Sequence, residues 1–486
     1  MTMENSQSLA RRAAFAVLLT IGFYLLAVVM TALLLFIPYA EWTYAGRIHY
    51  KIAFFCAGAA GVIVWSIIPR PDRFTAPGPR LLQDEQPELF KVLRGVASDM
   101  GQEMPTEVYA IGELNAWVMD RGGIMGFGSR RVMGLGLPLL QVLSVSQARG
   151  VIAHEFGHFY SGDTKLGPWI YKTRSAMIRT LSGLAEHGSL LQKPFVWYGN
   201  EFMRITQTIS RGQEFTADRL AAGIVGSQAM IDGLRVIHGS GAAFDEYWRN
   251  EYVPVLDKGY RPPLSDGFAR FLSVPRIANA VTKIVSEALE SGETDLYDSH
   301  PSLHDRVSAL HQVAVNKEQA ANPAISLLRD LENLEASFLV TLTDPATAQT
   351  IQPISWEQVG GKVWFPIWQE HVDTYRDVLQ GVCLHALPEI LSDPELKRRL
   401  LRGTAETEGV QNEFLEGLIG AAIAVILARQ GWQLNATPGN DVALSQEGLD
   451  VFPFVAVRQL LIGETSADSW GKLCTAVNGD VVLGTA

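Results

Sequence analysis

The segment His154-Glu155-Phe156-Gly157-His158 combines two imidazoles and a carboxylate at a spacing suited to metal-dependent hydrolysis. On a helix, residues i and i+4 share one face, so both imidazoles can reach one tetrahedral zinc ion. Glu155 then lies beside the ion, where it can take a proton from a water and pass it to a leaving amine. We expect one Zn²⁺ per chain, with Glu155 as general base.

A catalytic zinc site needs a third protein ligand, and Glu214 is the candidate that the sequence offers. The three cysteines form no Cys-x-x-Cys pair, so histidines and carboxylates must hold the metal. Glu214 and Asp218 are four residues apart, in an alanine- and leucine-containing segment typical of a packed helix. Glu214 would bind the metal and Asp218 would fix the tautomer of an imidazole. The alternative is an ordinary solvated acidic face.

The elements that position these residues follow from capping signals and periodicity. Ser144 and Gln147 have the form of a capping box, which predicts a zinc helix that starts there and ends by Gly162. A second helix, over about 213–225, carries Glu214. An amphipathic helix over 84–100 and strands at 107–111, 115–118 and within 123–135 are predicted before the zinc helix.

Two apolar segments near the N-terminus, at about 15–37 and 52–68, are predicted membrane spans. A helix needs roughly 20 residues to cross a bilayer, and the second segment lies at the short end of the range. A signal peptide is the alternative for the first segment, although such segments are usually about half as long. Basic residues outside both spans predict an integral membrane protein of the bacterial inner-membrane type with a cytoplasmic catalytic domain: Arg11, Arg12, Arg70, Arg73 and Arg80.

Composition limits the partners. A net charge of −11 and a pI near 5.5 argue against binding to nucleic acid, which needs a basic face. Three distant cysteines favour a reducing compartment. The remaining expected partners are protein or peptide substrates and the lipid bilayer, and the sequence does not indicate an oligomeric state.

The ordered motifs resemble those of the membrane zinc peptidases that include the HtpX heat-shock protease and the CAAX prenyl proteases. That family carries a zinc helix of this form and a later glutamate motif that ends in Ala-Asp, matched by residues 214–218. A His-Pro-Ser segment followed by an arginine is similar to its third hallmark, here His300 and Arg306. An Asn-Ala-aromatic strand precedes its zinc helix, as Asn115, Ala116 and Trp117 do here. The resemblance covers about residues 80–315.

The resemblance implies roles for these additional residues. His300 and Arg306 would contact the substrate backbone or the oxyanion of the tetrahedral intermediate. The strand with Asn115, Ala116 and Trp117 would pair with an extended substrate. The alternatives are a helix-capping segment with Arg306 in a surface ion pair, and simple turn residues. The relatives carry further spans between the two zinc motifs, whereas this chain has a charged segment at 164–212.

The predicted fold is mainly α with a small β-sheet, in four parts. These are a transmembrane hairpin (1–68), a proline-rich linker (69–80), a zincin-like metallopeptidase domain (81–315) and a separate α+β unit (316–486). Residues 164–212 are expected to lie at the membrane interface or to cover the cleft. In the last unit, helices are predicted at 325–341, 363–380 and 412–428, with residues 417–428 in the core, and a small sheet within 432–462.

The function that these features predict is a membrane-anchored zinc endopeptidase of the gluzincin type, in membrane protein quality control. Two other classes stay open. One is a zinc-bound but inactive scaffold, and the other is a membrane adaptor that recruits partners through residues 316–486. A latent enzyme is a third possibility. The sequence does not identify the substrate, its cleavage preference or the role of the C-terminal unit.

Overall fold

The structure is a computed structural model that describes residues 3–70, 72–123, 128–159, 167–185, 189–292, 300–313, 315–343, 345–401, 407–465, 467–476 and 481–485. These residues are mostly helical and contain three small sheets. The predicted class, mainly α with a small β component, is therefore confirmed at this level.

The helices are, in chain order, α1 (Met3–Ala45), α2 (Tyr50–Ile67), α3 (Pro87–Asp99), α4 (Leu137–Val142), α5 (Val145–Gly157), α6 (Gly167–Ala185), α7 (Ser189–Val225), α8 (Ser227–Tyr247), α9 (Val253–Asp257), α10 (Leu264–Ser273), α11 (Pro275–Ser291), α12 (Leu303–His311), α13 (Leu331–Leu342), α14 (Pro345–Thr350), α15 (Trp356–Val359), α16 (Phe365–Thr374), α17 (Arg376–Leu379), α18 (Leu387–Ser392), α19 (Pro394–Leu400), α20 (Glu408–Arg429), α21 (Pro453–Leu461) and α22 (Ala467–Ala476). The strands are β1 (Arg80–Leu81), β2 (Glu107–Ile111), β3 (Ala116–Arg121), β4 (Arg130–Gly136), β5 (Tyr260–Arg261), β6 (Gln352–Pro353), β7 (Gln433–Asn435), β8 (Ala443–Gln446) and β9 (Leu449–Val451).

Helices α1 and α2 contain the two predicted spans. By length and composition, Val17–Ala45 and Tyr50–Ile67 could cross a membrane, and only 22% and 28% of their apolar windows are buried within the protein. An apolar surface that stays this exposed matches a bilayer better than water. A third apolar helix, α20, is 61% buried by its own surroundings. This burial agrees with the prediction that residues 417–428 lie in a core helix.

Helices α6 and α7 pack against the two spans. The charged residues within 164–212 did not indicate this packing. Arg179 of α6 donates two hydrogen bonds, of 3.1 and 2.8 Å, to the Ser66 carbonyl oxygen at the end of α2. The Tyr198 hydroxyl of α7 donates to the Leu19 carbonyl oxygen of α1 at 2.6 Å. Arg174 donates to the Thr206 hydroxyl at 2.9 Å. Both arginines are therefore turned inward, and helix α7 begins at Ser189 rather than near residue 213.

The sheet beside the zinc motif has the strand order β1-β2-β4-β3, so β3 lies at one edge. Strands β2 and β4 are parallel, while β3 runs antiparallel to β4 and β1 antiparallel to β2. The predicted strand at 107–111 matches β2, and the other two predictions overlap β3 and β4. The proline-rich segment contains no helix in its described residues. It is held to the sheet where Asp72 binds Arg121 at 2.8 and 3.1 Å.

Contacts divide the chain into two units, one of residues 1–241 with 282–341 and one of 242–281 with 342–486. This division differs from the predicted boundary at 315/316 for two reasons. Ala324 and Leu334 are buried in the same core as the zinc helix. Residues 260–261 pair with 352–353 through β5 and β6. The sequence does not indicate this long-range contact between strands. The core of the second unit surrounds α20, and its small sheet is β7-β8-β9.

Candidate metal centre

The zinc motif lies at the end of α5, a helix with a complete N-terminal cap. The Ser144 hydroxyl accepts from the Gln147 N–H at 3.3 Å, and the Gln147 side chain accepts from the Ser144 N–H at 2.8 Å. This is the predicted capping box, and it satisfies two amides that the first turn would otherwise leave unpaired. His154 is buried in the last turn, and His158 follows directly after the helix.

Helix α7 brings the second half of the site against α5. A Cβ on Gly157 would lie 3.0 Å from the Cα of Ala217, so a larger residue would push the two helices apart by a few tenths of an ångström. Ala217 lies between Glu214 and Asp218, both of which are buried. The close contact therefore turns both carboxylates toward the two histidines.

The imidazoles and Glu214 have the spacing of ligands around one ion. The Nε2 atom of His154 lies 3.4 Å from Glu214 Oε2, and the Nε2 atom of His158 lies 3.5 Å from Glu214 Oε1. Donors that bind zinc tetrahedrally at roughly 2.0–2.1 Å are about 3.3–3.4 Å from one another. Two separate stretches of sequence therefore converge at the distances that a zinc ion needs.

Glu155 is also near the two imidazoles, and its ionisation distinguishes it from Glu214. Donor atoms of His154, Glu155 and His158 lie within 4.8 Å of one another. Burial raises the pKa of Glu155 to about 7, although the nearby His154 lowers it. Burial also opposes ionisation of Glu214, but hydrogen bonds from His154 and His300 hold its pKa well below its usual range. Glu214 is thus the better anionic ligand, and Glu155 is suited to exchange protons near neutral pH.

Asp218 contacts His154 at Nδ1, the ring nitrogen that is not next to Glu214, and Arg306 binds Asp218. The Nδ1 atom of His154 lies 2.8 Å from Asp218 Oδ1. Arg306 donates from Nε and Nη2 to the two oxygens of Asp218, at 2.8 and 2.6 Å. A carboxylate on Nδ1 leaves Nε2 of the imidazole for the metal, and the guanidinium fork fixes the carboxylate plane.

His300 and Arg306 are both close to Glu214, in the cavity next to the site. The Nδ1 atom of His300 lies 3.0 Å from Glu214 Oε2, and its side chain is 57% exposed. Arg306 Nη2 lies 3.7 Å from the same oxygen, with its side chain 13% exposed. The contacts of Arg306 are those of a positioning residue, whereas the exposed His300 is within reach of a substrate. Their contact with an oxyanion stays a prediction.

The segment Asn115–Trp117 lies at the start of the edge strand. Asn115 and Ala116 line the cavity that contains His154 and Glu155. Trp117 does not line it, because its indole covers Gly134 of β4, where a Cβ would come within 2.5 Å of the ring. The N–H of Val118 donates a hydrogen bond to the Glu155 carboxylate. Pairing of this strand with a substrate is a prediction that the edge position permits.

The arginine fork can be tested by a conservative change. Arg306→Lys keeps the charge but cannot donate two parallel hydrogen bonds to Asp218. We expect zinc affinity to fall about 10- to 100-fold, the usual cost of a lost outer-sphere partner. Competition with a fluorescent zinc chelator measures this. Arg219→Lys, at an exposed position of α7 next to Asp218, is the matched control and should keep the affinity of the wild type.

Zinc binding should release about one proton per ion below neutral pH. Burial lowers the pKa of His154, but hydrogen bonds to Asp218 and Glu214 outweigh this effect and raise it to about 10. Burial lowers the pKa of His158 to about 4, so that ring is already neutral. Only His154 must therefore lose a proton, and affinity should rise about tenfold per pH unit. Calorimetry at pH 6 in buffers of different ionisation enthalpy counts the protons, and a count near zero would contradict a protonated His154.

Part of the chain is similar to a known protein family. Residues 83–314 match the family model described as Peptidase family M48. These residues, which include the zinc motif, Glu214 and Arg306, are therefore similar to peptidase family M48, a class of proteases.

One curated relative shows a more specific similarity. The protein is 27% identical over 283 residues to "Protease HtpX" of Idiomarina loihiensis, an alignment that covers 53% of this chain and 85% of the relative. No solved structure shows a significant match. The chain is thus similar to a protease family and to HtpX, and it has candidate membrane-spanning helices.

Two features of the site were missed in the sequence. One is the backbone amide of Val118, which contacts Glu155. A contact made by a backbone atom leaves no signal in the residue types. The other is an apolar wall on α8, formed by Met230, Leu234 and Ile237. Their i, i+4, i+7 spacing is visible in the sequence, but it is equally typical of any helix that packs on a core.

Proposed function

We propose that this chain is a membrane-anchored zinc endopeptidase in which His154, His158 and Glu214 hold the metal. The observation that carries the proposal is the convergence of Glu214 on both imidazoles, at 3.4 and 3.5 Å. Two histidines and one carboxylate leave the fourth tetrahedral position open, as catalytic zinc sites do. The inactive scaffold and the metal-free adaptor do not require Glu155 in the cavity.

In this proposal the bound zinc acts as a Lewis acid that polarises the scissile carbonyl and lowers the pKa of a nearby water. Glu155, with a pKa of about 7, takes the proton from that water and delivers it to the leaving amine. Asp218 keeps the Nε2 atom of His154 directed at the metal, and Arg306 holds Asp218. His300 can donate to the negative charge that develops on the carbonyl oxygen.

The edge strand supplies the site for the substrate backbone. Strand β3 has β4 on one side only. An extended peptide can add to its other side through main-chain hydrogen bonds, which do not depend on side-chain identity. Such binding places the scissile peptide next to Glu155, whose carboxylate already contacts Val118 of this strand. It also selects unfolded or extended segments over folded ones.

The placement beside a membrane supports a role in membrane protein quality control, which is part of the proposal. Helix α7 runs without interruption from Tyr198, which contacts the first span, to Glu214. At about 1.5 Å per residue, this stretch is roughly 24 Å long. A rigid helix of that length would keep the metal at a fixed, short height above the bilayer, in the cytoplasm by the basic residues that flank the spans.

Metal removal tests the proposal. The full-length protein in proteoliposomes should cleave an unfolded reporter polypeptide, lose this activity in a zinc chelator, and recover it when zinc is restored. Magnesium should not restore it, because imidazole ligands favour zinc. Zinc bound at one ion per chain without any cleavage would instead identify the scaffold, and absence of zinc would identify the adaptor.

A further inference from the structure

A cavity of about 480 Å³ lies beside the candidate metal centre and has two chemically different ends. One end contains His154, Glu155, His300 and Arg306, which belong to the centre itself. The other end extends between helices α4, α5 and α8 of the same unit. The mechanism above gives no role to this second end.

The second end is an apolar wall built from three helices. Val151 lies one turn before His154 on α5, so its side chain adjoins the metal ligand on the same helix face. Met230, Leu234 and Ile237 form a stripe on α8 with i, i+4, i+7 spacing, and Leu139 of α4 completes the wall. Leu139, Val151, Met230 and Leu234 are at most 8% exposed and belong to the main core of the unit. The wall is therefore held rigidly by packing.

The carboxylate and the guanidinium of the cavity both belong to the metal centre. Among its described lining residues, Glu155 is the one carboxylate and Arg306 the one guanidinium, and the exposed His238, next to Ile237 on α8, is the one titratable side chain outside the centre. A charged side chain that entered the apolar end would lose its hydration without gaining a partner. A large apolar side chain would instead bury its surface against the wall.

We infer that this apolar wall, defined by Leu139, Val151, Met230, Leu234 and Ile237, binds the side chain of the substrate residue that flanks the scissile bond. The inference rests on the proposed peptidase function and assigns its substrate class: segments with leucine, isoleucine, methionine or phenylalanine at the cleavage site. Such residues are buried in folded proteins. The site therefore acts on chains that expose their core residues, which is what extended binding at β3 also requires.

The test is a cleavage profile of the full-length zinc enzyme in nanodiscs, with a library of peptides from a digested proteome read by mass spectrometry. Leucine, isoleucine, methionine and phenylalanine should be enriched at one position next to the cut. For a matched peptide pair, replacement of that leucine by aspartate should lower kcat/KM roughly 10- to 150-fold. An even distribution of residues at both flanking positions overturns the inference and leaves the peptidase intact. Absence of cleavage for every peptide overturns both.

A variant with a gain in activity separates specificity from damage to the fold. Ile237 is half-buried at the edge of the wall, so Ile237→Arg places a charge at the mouth of the apolar end. We expect cleavage beside glutamate to rise at least about tenfold and cleavage beside leucine to fall, with zinc content unchanged. Ile237→Ala should shift the preference toward larger aromatic residues. Val236→Ala, half-buried on the same helix but outside the cavity, is the matched control. An unaltered profile in both Ile237 variants contradicts the assignment.

Discussion

Glu155→Gln should keep zinc at one ion per chain and lose proteolysis by a factor of about 10² to 10⁴, the usual contribution of a general base. Glutamine is nearly isosteric, so the contact with the Val118 N–H can be retained through its carbonyl oxygen. It cannot accept the proton of the attacking water. Because Glu155 is not one of the three proposed ligands, the metal should stay. Initial rates on a fluorogenic peptide, with zinc measured on the same sample, check both statements.

The pH profile gives the Glu155 prediction a second readout. Glu155 must be ionised to act as a base, and burial raises its pKa to about 7. A zinc ion nearby would lower this pKa, so activity should be level above about pH 7 and should be lost at a lower pH, as Glu155 becomes protonated. Glu103→Gln, an exposed glutamate in the same domain, is the control and should keep both rate and profile. Undiminished cleavage by Glu155→Gln would rule out its role as the base.

Glu214→Ala should abolish stoichiometric zinc binding and, with it, all proteolysis. The carboxylate lies between both imidazoles, and no other described carboxylate lies at ligand distance from both except Glu155, whose pKa is raised. If the roughly 10–16 kcal/mol of a four-ligand zinc site is shared evenly, one ligand contributes about 2.5–4 kcal/mol. Affinity should therefore fall about 100- to 1,000-fold.

A matched control distinguishes loss of a ligand from loss of the helix. Glu201→Ala removes a glutamate from the same helix, where it binds Arg204 at 2.7 Å on the surface. This variant should bind zinc normally, since exposed ion pairs contribute little to stability. Circular dichroism should show the helix content of the wild type in both variants. Normal zinc content in Glu214→Ala would assign the third ligand to a different residue.

The local parts of the site were predictable from the sequence, because they depend on short spacings. The capping box at Ser144, the i, i+4 histidines and the pair Glu214 and Asp218 all act within one or two helical turns. The convergence of Glu214 on the imidazoles was a hypothesis, and the close approach at Gly157 is the packing detail that achieves it. Nothing in the sequence marks that glycine as a helix contact.

The long-range contacts of the fold were not predictable from the sequence. The physical reason differs from one contact to the next. Charges at Arg174 and Arg179 make α6 look solvated, yet both side chains turn inward to oxygen acceptors on neighbouring segments. The predicted boundary near residue 315 lies where the family resemblance ends. It did not anticipate that residues 260–261 pair with 352–353, because two-residue strands carry almost no periodic signal. A role that depends on a bound substrate, such as that of His300, cannot be predicted without the substrate.

Zinc K-edge X-ray absorption on the purified full-length protein tests the central assignment most directly. The account predicts two imidazole nitrogens at about 2.0–2.1 Å, oxygen donors at about 2.0–2.2 Å and no sulfur. In Glu214→Ala, any residual zinc should have lost an oxygen donor while both imidazoles stay. A sulfur scatterer at about 2.3 Å, or a variant spectrum identical to that of the wild type at full zinc content, would contradict it.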